Sequence, residues 1–246
     1  MTQPVRRGIY QARLAAGPAD LVAARALRQR VFRDGAPGGD ADPFDARCRH
    51  VLVEELATGA LVCCYRLLPL SAGSDIGQSY AAQFYDVTAL AAFDAPMIEV
   101  GRFCIAPDRC DPDILRLAWA MLTRIVDEGG IGMLFGCSSF RGIDAAPYRE
   151  AFALLAHRHI APGRWFPRVK APAVVRFAEE VRARAPDLGA AMRAMPPLLR
   201  TYLAMGGWVS DHAVIDRDLN TLHVFTGLEI GAIPPARARL LRAAAG

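Results

Sequence analysis

The stretch MIEVGRFCIAPDRCDPDILRLAWAMLTRIVDEGG, residues 97–130, limits the possible folds of this chain more than any other. It begins as an apolar run of strand length and passes into a helix with both ends marked. Asp111 suits the N-cap, Pro112 the first turn, and Asp113 complements the helix dipole. Ile114, Leu117, Ala118, Met121, Leu122 and Ile125 recur at helical spacing, and Gly129-Gly130 ends the element. A buried strand leading into a one-sided helix calls for a sheet with helices packed on it. The fold class is therefore α/β (α+β), a mixed sheet flanked by helices. Two charges, Glu99 and Arg102, interrupt the strand three residues apart, and a regular strand would point them to opposite faces. A bulge at the intervening Gly101, a usual role for a strand glycine, would turn both toward one cleft.

The rest of the chain supplies more such elements. A strand is expected at about 8–15 and a helix from Pro18 to Phe32, followed by the turn-rich loop DGAPGGDADPFDARC. HVLVEEL and LVCCYRLL read as two strands of a hairpin, turning at Thr58–Gly59. Residues 71–96 mix a loop with a short helix, IGMLFGC is a strand, and a helix lies around 146–158. Further on, an amphipathic helix is expected over 173–193, with Arg182 and Arg184 near its end. Another starts at Pro196-Pro197, and TLHVFTGLEI is a late strand. The whole, residues 1–246, reads as one domain with a helical insertion or lid at about 160–200.

Composition excludes several classes. An apolar fraction of 53% is ample for a core and rules out intrinsic disorder. No run approaches the ~18 apolar residues of a membrane-spanning helix, and the N-terminus lacks the apolar core of a secretory signal, so a cytoplasmic location is expected. Six cysteines include no C-x-x-C pair, which signals neither zinc nor a disulfide framework. His157 and His159 diverge by roughly 200° on a helix, so no metal site is expected there. Net charge is +4, with Lys170 the sole lysine among the basic residues. Arginine suits forked contacts with carboxylate and phosphate. Mild basicity fits an acidic protein partner or an anionic membrane surface, and no basic run with interleaved aromatics points to nucleic acid.

Five polar features stand out: Arg28, the pair Asp42 and Asp45, Arg66, Glu99 and Arg102. Arg28 near a helix end and aspartates in a loop have ordinary structural explanations. Arg66, Glu99 and Arg102 break runs that otherwise read as buried, and a buried charge has to be paired or used.

In order and spacing, RQRVF at 28–32, DPFD at 42–45, RLLP at 66–69 and EVGRF at 99–103 resemble the motifs of acyl-homoserine-lactone synthases, members of the GNAT superfamily of N-acyltransferases. The tryptophan those enzymes carry soon after the phenylalanine is absent from RDGAPGG. LFGCSSFRGID, HRHIAPGRW, PPLLRTYLAMGGWVSD and DRDLNTLHVF are similar to the L-ornithine Nα-acyltransferases of bacterial ornithine-lipid synthesis. The resemblance implies a GNAT-like sheet and transfer of a 3-hydroxy fatty acyl group from acyl carrier protein (ACP) to the α-amine of L-ornithine. The product is lyso-ornithine lipid. No bound cofactor is implied; the phosphopantetheine thioester of acyl-ACP is a co-substrate.

By the same resemblance Glu99 and Arg102 are catalytic, Glu99 as general base or amine orienter. Arg28, Phe32, Asp42, Asp45 and Arg66 serve substrate binding. Phe103 and Cys104 lie where a strand N–H would meet the oxyanion or the pantetheine. Asp216, Asn220 and His223 are candidates for a pocket lining, and Cys137 is a packed strand residue before it is a nucleophile. Arg109, Arg116, Arg124, Arg141 and Arg149 are candidates for docking the acidic carrier. The basic terminal helix PPARARLLRAAA suits peripheral contact with the inner face of a membrane. The junction APDRCDPDI bears on the donor independently: it has no glycine and three aspartates where a CoA-binding loop would cradle a diphosphate. Alternatives are another acceptor such as glutamine, a homoserine-lactone synthase, and a non-catalytic acyl-ACP-binding module.

Overall fold

The computed structural model describes residues 2–33, 39–181 and 185–245. In chain order the elements begin with β1 (Val5–Arg7), β2 (Tyr10–Leu14), α1 (Pro18–Phe32), β3 (Arg49–Glu55) and β4 (Leu61–Leu70). Next come β5 (Tyr85–Asp86), β6 (Met97–Ile105), α2 (Pro112–Gly129), β7 (Met133–Arg141) and α3 (Arg149–Arg158). Then follow β8 (Arg168–Val169), β9 (Val174–Val175), α4 (Phe177–Glu180), α5 (Leu188–Ala194) and α6 (Pro197–Ala204). Last are β10 (Trp208–Val209), β11 (Ala213–Asp216), β12 (Thr221–Glu229) and α7 (Pro235–Ala245). This is the expected combination of a sheet with flanking helices, and its strands pair mostly antiparallel. The chain, expected to form one domain, packs as two compact units: one of residues up to 69, 98–131 and from 234 on, the other of 70–97 and 132–233.

In the first unit the strands lie in the order β1-β2-β3-β4-β6, antiparallel from β1 to β4. The strand expected at 8–15 is a hairpin instead, because Gly8 adopts a left-handed φ of 54° and turns the chain between β1 and β2. Neighbouring residues of β4 address opposite faces. The Cys64 thiol points to the Ala24 carbonyl of α1, and Tyr65 donates its hydroxyl proton to the Ala118 carbonyl of α2 at 2.9 Å. One helix therefore covers each face. Helix α2 starts and stops as expected. Asp111 accepts from the N–H of Asp113 at 2.9 Å, Gly130 closes the C-terminus with φ 58°, and the six predicted apolar positions are buried. Helix α7 is tied to α2 by Arg242–Asp127 at 3.0 Å and by Arg124, which donates to the carbonyls of Ala245, Gln3 and Pro4.

The second unit orders its strands β7-β12-β11-β9, antiparallel throughout, with β10 pairing β12 and a separate β5-β8 ladder. Its core joins Phe140, Phe152, Leu222 and Val224 to Phe177, Ala191, Met195 and Leu199. Those last four fall in the segment expected to be a helical insertion or lid. That expectation is corrected: residues 160–200 supply β8 and β9 as well as short helices, and their apolar side chains close the core. The single helix expected over 173–193 is split into β9, α4 and α5, and Arg182 and Arg184 lie outside the described residues.

Candidate active site

The charged residues that interrupt the apolar runs converge in the first unit, on the face of the sheet covered by α1. Arg25 and Arg28 sit three apart on one side of that helix, and Arg28 is buried beside Ala24 and Leu27. Asp42 caps the single 3₁₀ turn Pro43–Arg47 by accepting from the N–H of Phe44 at 2.9 Å. That turn brings Asp45, with no exposed side-chain surface, against α1. Asp45 accepts from Arg28 at 2.7 Å, from Arg25 at 2.9 Å and from Arg66 of β4 at 2.9 Å. Its main-chain carbonyl accepts from His50 Nε2 at 3.0 Å, His50 standing opposite Arg66 across β3 and β4. Arg66 also donates to Asp42 at 2.5 Å.

Burial alone would push the Asp45 carboxyl up. The hydrogen bonds from Arg28, Arg25 and Arg66 outweigh it and hold the group far below the usual carboxylate range. Neither aspartate is an idle turn former. Both are engaged by arginines: Asp45 by Arg25, Arg28 and Arg66, and Asp42 by Arg66.

Glu99 and Arg102 come to this face through a reversal in β6. A side chain built at Gly101 would meet Arg66 at 3.4 Å, whereas Phe103 stacks on Tyr65, the residue facing α2, at 5.3 Å between ring centres. Residues 101 and 103 of a regular strand would share a face. The break lies at Arg102, whose φ is 52°. Gly101, expected to carry the irregularity, has ordinary room for a side chain and no left-handed φ. The strain sits on the arginine itself, a conformation costing on the order of 1–3 kcal/mol that persists where surroundings hold it. What holds it is ionic: Arg102 Nε donates to Asp40 at 3.1 Å, and Nη2 lies 3.1 Å from Asp42. Glu99, two residues before Gly101, shares the Arg66 side and is buried.

Cys48, beside these groups, has its thiol pushed up to about 11 by burial, with Arg66 lowering and Glu99 raising it. It is a neutral thiol at physiological pH. Asp45, Cys48 and His50 also line a cavity of about 480 Å³ together with Leu14, Gly17 and Leu21.

Sequence reasoning missed Asp40, Arg25, Cys48 and His50. Asp40 is the most consequential. It is buried, accepts from Arg28 at 2.6 Å, and pairs with Arg33 and Arg102. Its spacing in DADPFD was available as a signal, but a loop aspartate two residues before another reads as turn chemistry. Phe32 packs against the apolar cluster of Ala24, Leu27, Leu52 and Cys64. The thiols of Cys64 and Cys104 lie 3.5 Å apart in that cluster, which faces α1. At the start of α2, Asp111 caps its own helix and Asp113 pairs with Arg7 and Arg116 at 3.0 and 2.8 Å.

In the second unit Asp216 accepts from the N–H of Leu219 at 3.0 Å, and Asn220 turns the chain with φ 49°, so turn chemistry accounts for both. Cys137 is half-buried on β7 opposite Phe225, and among the described residues no group of three or more His, Cys, Asp or Glu is placed to hold a metal. His223 is buried with Nδ1 3.0 Å from the Tyr85 hydroxyl, and its ring packs edge-on against Phe84.

Burial, and then neighbouring His212, lower the pKa of His223 to about 4. A histidine held neutral in the fold stabilises it above the unfolded pKa of about 6.5, and that contribution is lost as pH falls toward the folded value. Urea unfolding is therefore expected to show a loss of about 2–3 kcal/mol between pH 7 and 4.5 that His223→Gln removes. An unchanged slope in the variant would refute this. The lowered carboxylates Asp20, Asp40 and Asp45 begin to release their contribution from about pH 5 downward, and they do so alike in wild type and variant, so the difference between the two reports His223.

Residues 27–120 match the acetyltransferase (GNAT) domain family. The chain is 33% identical over 239 residues to the L-ornithine N(alpha)-acyltransferase of Rhodobacter capsulatus, covering 91% of both chains. It is 30% identical over 240 residues to that of Rhizobium meliloti, covering 91% of this chain and 81% of the relative. Among solved structures, FeeM, an N-acyl amino acid synthase from uncultured soil microbes, aligns over 90% of this chain and 92% of its own. Its TM-score of 0.51 at 11% identity is a likeness of fold. With a relative 33% identical and matched over 91% of both chains, this chain belongs to the L-ornithine N(alpha)-acyltransferase family of N-acyltransferases.

Proposed function

We propose that the protein transfers a 3-hydroxy fatty acyl group from acyl-ACP to the α-amine of L-ornithine, giving lyso-ornithine lipid. The observation that carries the reading is the arginine-rich cluster around Glu99. Among the described residues, Arg25, Arg28, Arg33, Arg66 and Arg102 outnumber Asp40, Asp42, Asp45 and Glu99 by one charge, and each of the aspartates pairs with arginine. Such a cluster favours an anion, so Arg102 and Arg66 are assigned to the acceptor's α-carboxylate, and Asp42 and Asp45 to holding those arginines.

With the carboxylate so held, the α-amine lies within reach of Glu99, which takes its proton directly or through a water. The amine nitrogen bonds to the thioester carbonyl carbon, the carbon–sulfur bond breaks, and the pantetheine sulfur leaves as a thiol. The N–H groups of Phe103 and Cys104, next after the left-handed φ of Arg102, are assigned as the oxyanion donors. Burial keeps Cys48 and Cys63 protonated, and the contact with the Cys64 thiol, with burial, does so for Cys104, in keeping with direct transfer and no acyl-enzyme on these thiols.

The start of α2 supports the carrier-borne donor. Its N-terminal N–H is capped by Asp111, and Asp113 stands where a CoA diphosphate would need positive potential. Among the candidates for docking the acidic carrier, Arg116 pairs with Asp113, Arg124 donates to main-chain carbonyls, and Arg141 and Arg149 lie exposed. Helix α7, held to α2 on one side, presents Leu240 at 65% exposure next to Arg239 and three residues after Arg237, a combination suited to peripheral contact with anionic lipid.

One incubation tests the whole reading: 3-hydroxyacyl-ACP or 3-hydroxyacyl-CoA, a panel of amino acids, and anionic vesicles, followed by mass spectrometry and sedimentation. The expected result is an N-acyl ornithine from acyl-ACP with little from acyl-CoA, and protein recovered with the vesicles. Preference for glutamine would displace ornithine, and turnover only with S-adenosylmethionine would indicate a lactone synthase. Carrier binding without transfer would indicate a binding module. Protein left in the supernatant would remove the lipid contact.

A further inference from the structure

We propose that Asp40 is the positioning residue that sets the affinity for the acceptor's carboxylate, acting through Arg102; this rests on the reading that Arg102 receives that carboxylate. Asp40 is 1% exposed, and it joins elements far apart in the sequence. One carboxylate oxygen accepts from Arg28 Nε of α1 at 2.6 Å and from Arg102 Nε of β6 at 3.1 Å, and the other accepts from Arg33 at 3.3 Å. Its main-chain carbonyl accepts from Arg28 Nη2. Arg28 is itself anchored through Asp45. Asp40 is thereby fixed to α1 by both its main chain and its side chain, and it presents one oxygen to β6.

Arg102 needs such a grip. Its φ lies in the left-handed region inside β6, a conformation that an arginine keeps only where its surroundings hold it. Asp42 lies 3.1 Å from Nη2, and Asp40 accepts from Nε. Asp40 thereby fixes the Nε edge of the planar group, and its loss lets that edge swing. A swinging guanidinium still carries its charge but no longer matches a carboxylate held in register with Glu99. Arginines nearby keep Asp40 ionised in spite of burial, so the grip persists across the working pH range.

The test compares ornithine with ornithine amide, in which the α-carboxylate is replaced by an uncharged carboxamide. Wild type is expected to use the amide with a raised KM. Asp40→Asn is expected to raise KM for ornithine by about 10- to 100-fold, with a smaller change in kcat and no further penalty with the amide. Arg102→Lys, which keeps the charge but cannot span Asp40 and Asp42, is expected to show the same split, and it stands in should Asp40→Asn not fold. Equal losses with both acceptors, or a fall in kcat at unchanged KM, would assign Asp40 to the fold alone and overturn the proposal. Equal use of both acceptors by wild type would overturn the carboxylate assignment of Arg102 itself, an outcome distinct from the first.

Discussion

Replacing Glu99 by glutamine is expected to lower kcat by about 10²- to 10⁴-fold, the usual span for loss of a general base, with the melting temperature and carrier binding nearly unchanged. Glutamine keeps the shape of the side chain and its hydrogen-bonding oxygen, but it cannot accept a proton from the amine. Glu99 is 4% exposed and lies on the Arg66 side of β6, where a carboxylate has two possible uses. As a base it affects turnover alone. As an ion-pair partner it also neutralises buried arginine, so the amide would lower stability along with activity. Kinetics and thermal melts on one preparation separate the two. An unchanged rate would take Glu99 out of the chemistry.

Asp45→Asn is expected to damage the fold more than any other single substitution in the cluster. Arg25, Arg28 and Arg66 all donate to this one carboxylate, which has no exposed surface. Removing one partner of a buried ion pair costs about 3–5 kcal/mol, because the remaining charge stays buried without compensation. In a chain of 246 residues that is a fall in Tm of roughly 6–20 °C. Thermal unfolding checks it, with Asp113→Asn as the control: that carboxylate also pairs with two arginines, Arg7 and Arg116, but at the surface, where little change is expected. A loss at Asp45 no larger than the control would mean that the cluster is far better solvated than its burial indicates.

Much of this was legible beforehand. Helix α2 carries its cap, its dipole-matching acid, its stripe and its terminal glycine within twenty residues, and every one of those signals acts locally. The β3–β4 hairpin and α1 were readable for the same reason. Arg66, Glu99 and Arg102 were recognisable as a site because charge inside an apolar run demands a partner, even with the partner unknown. The region from 160 to 200 was misread because its segments are too short for periodicity to distinguish strand from helix, and their state follows from the core they close.

The partners themselves lay beyond local reading. Asp40 meets Arg102 across 62 positions of sequence, and Arg66 meets Asp45 across 21. An aspartate in a polar loop looks the same whether it bonds water or locks an arginine. The reversal that brings Glu99 and Arg102 to one face was expected at Gly101, the residue with the freedom for it, and occurs at Arg102 instead. Backbone propensity ranks glycine first for such a conformation. The ionic grip of Asp40 and Asp42 on a guanidinium, which exists only once α1, the 3₁₀ turn and β6 are assembled, holds the left-handed bend at Arg102. Chain order and local chemistry decided which residues form elements and which charges could not be idle; assembly decided where those charges point.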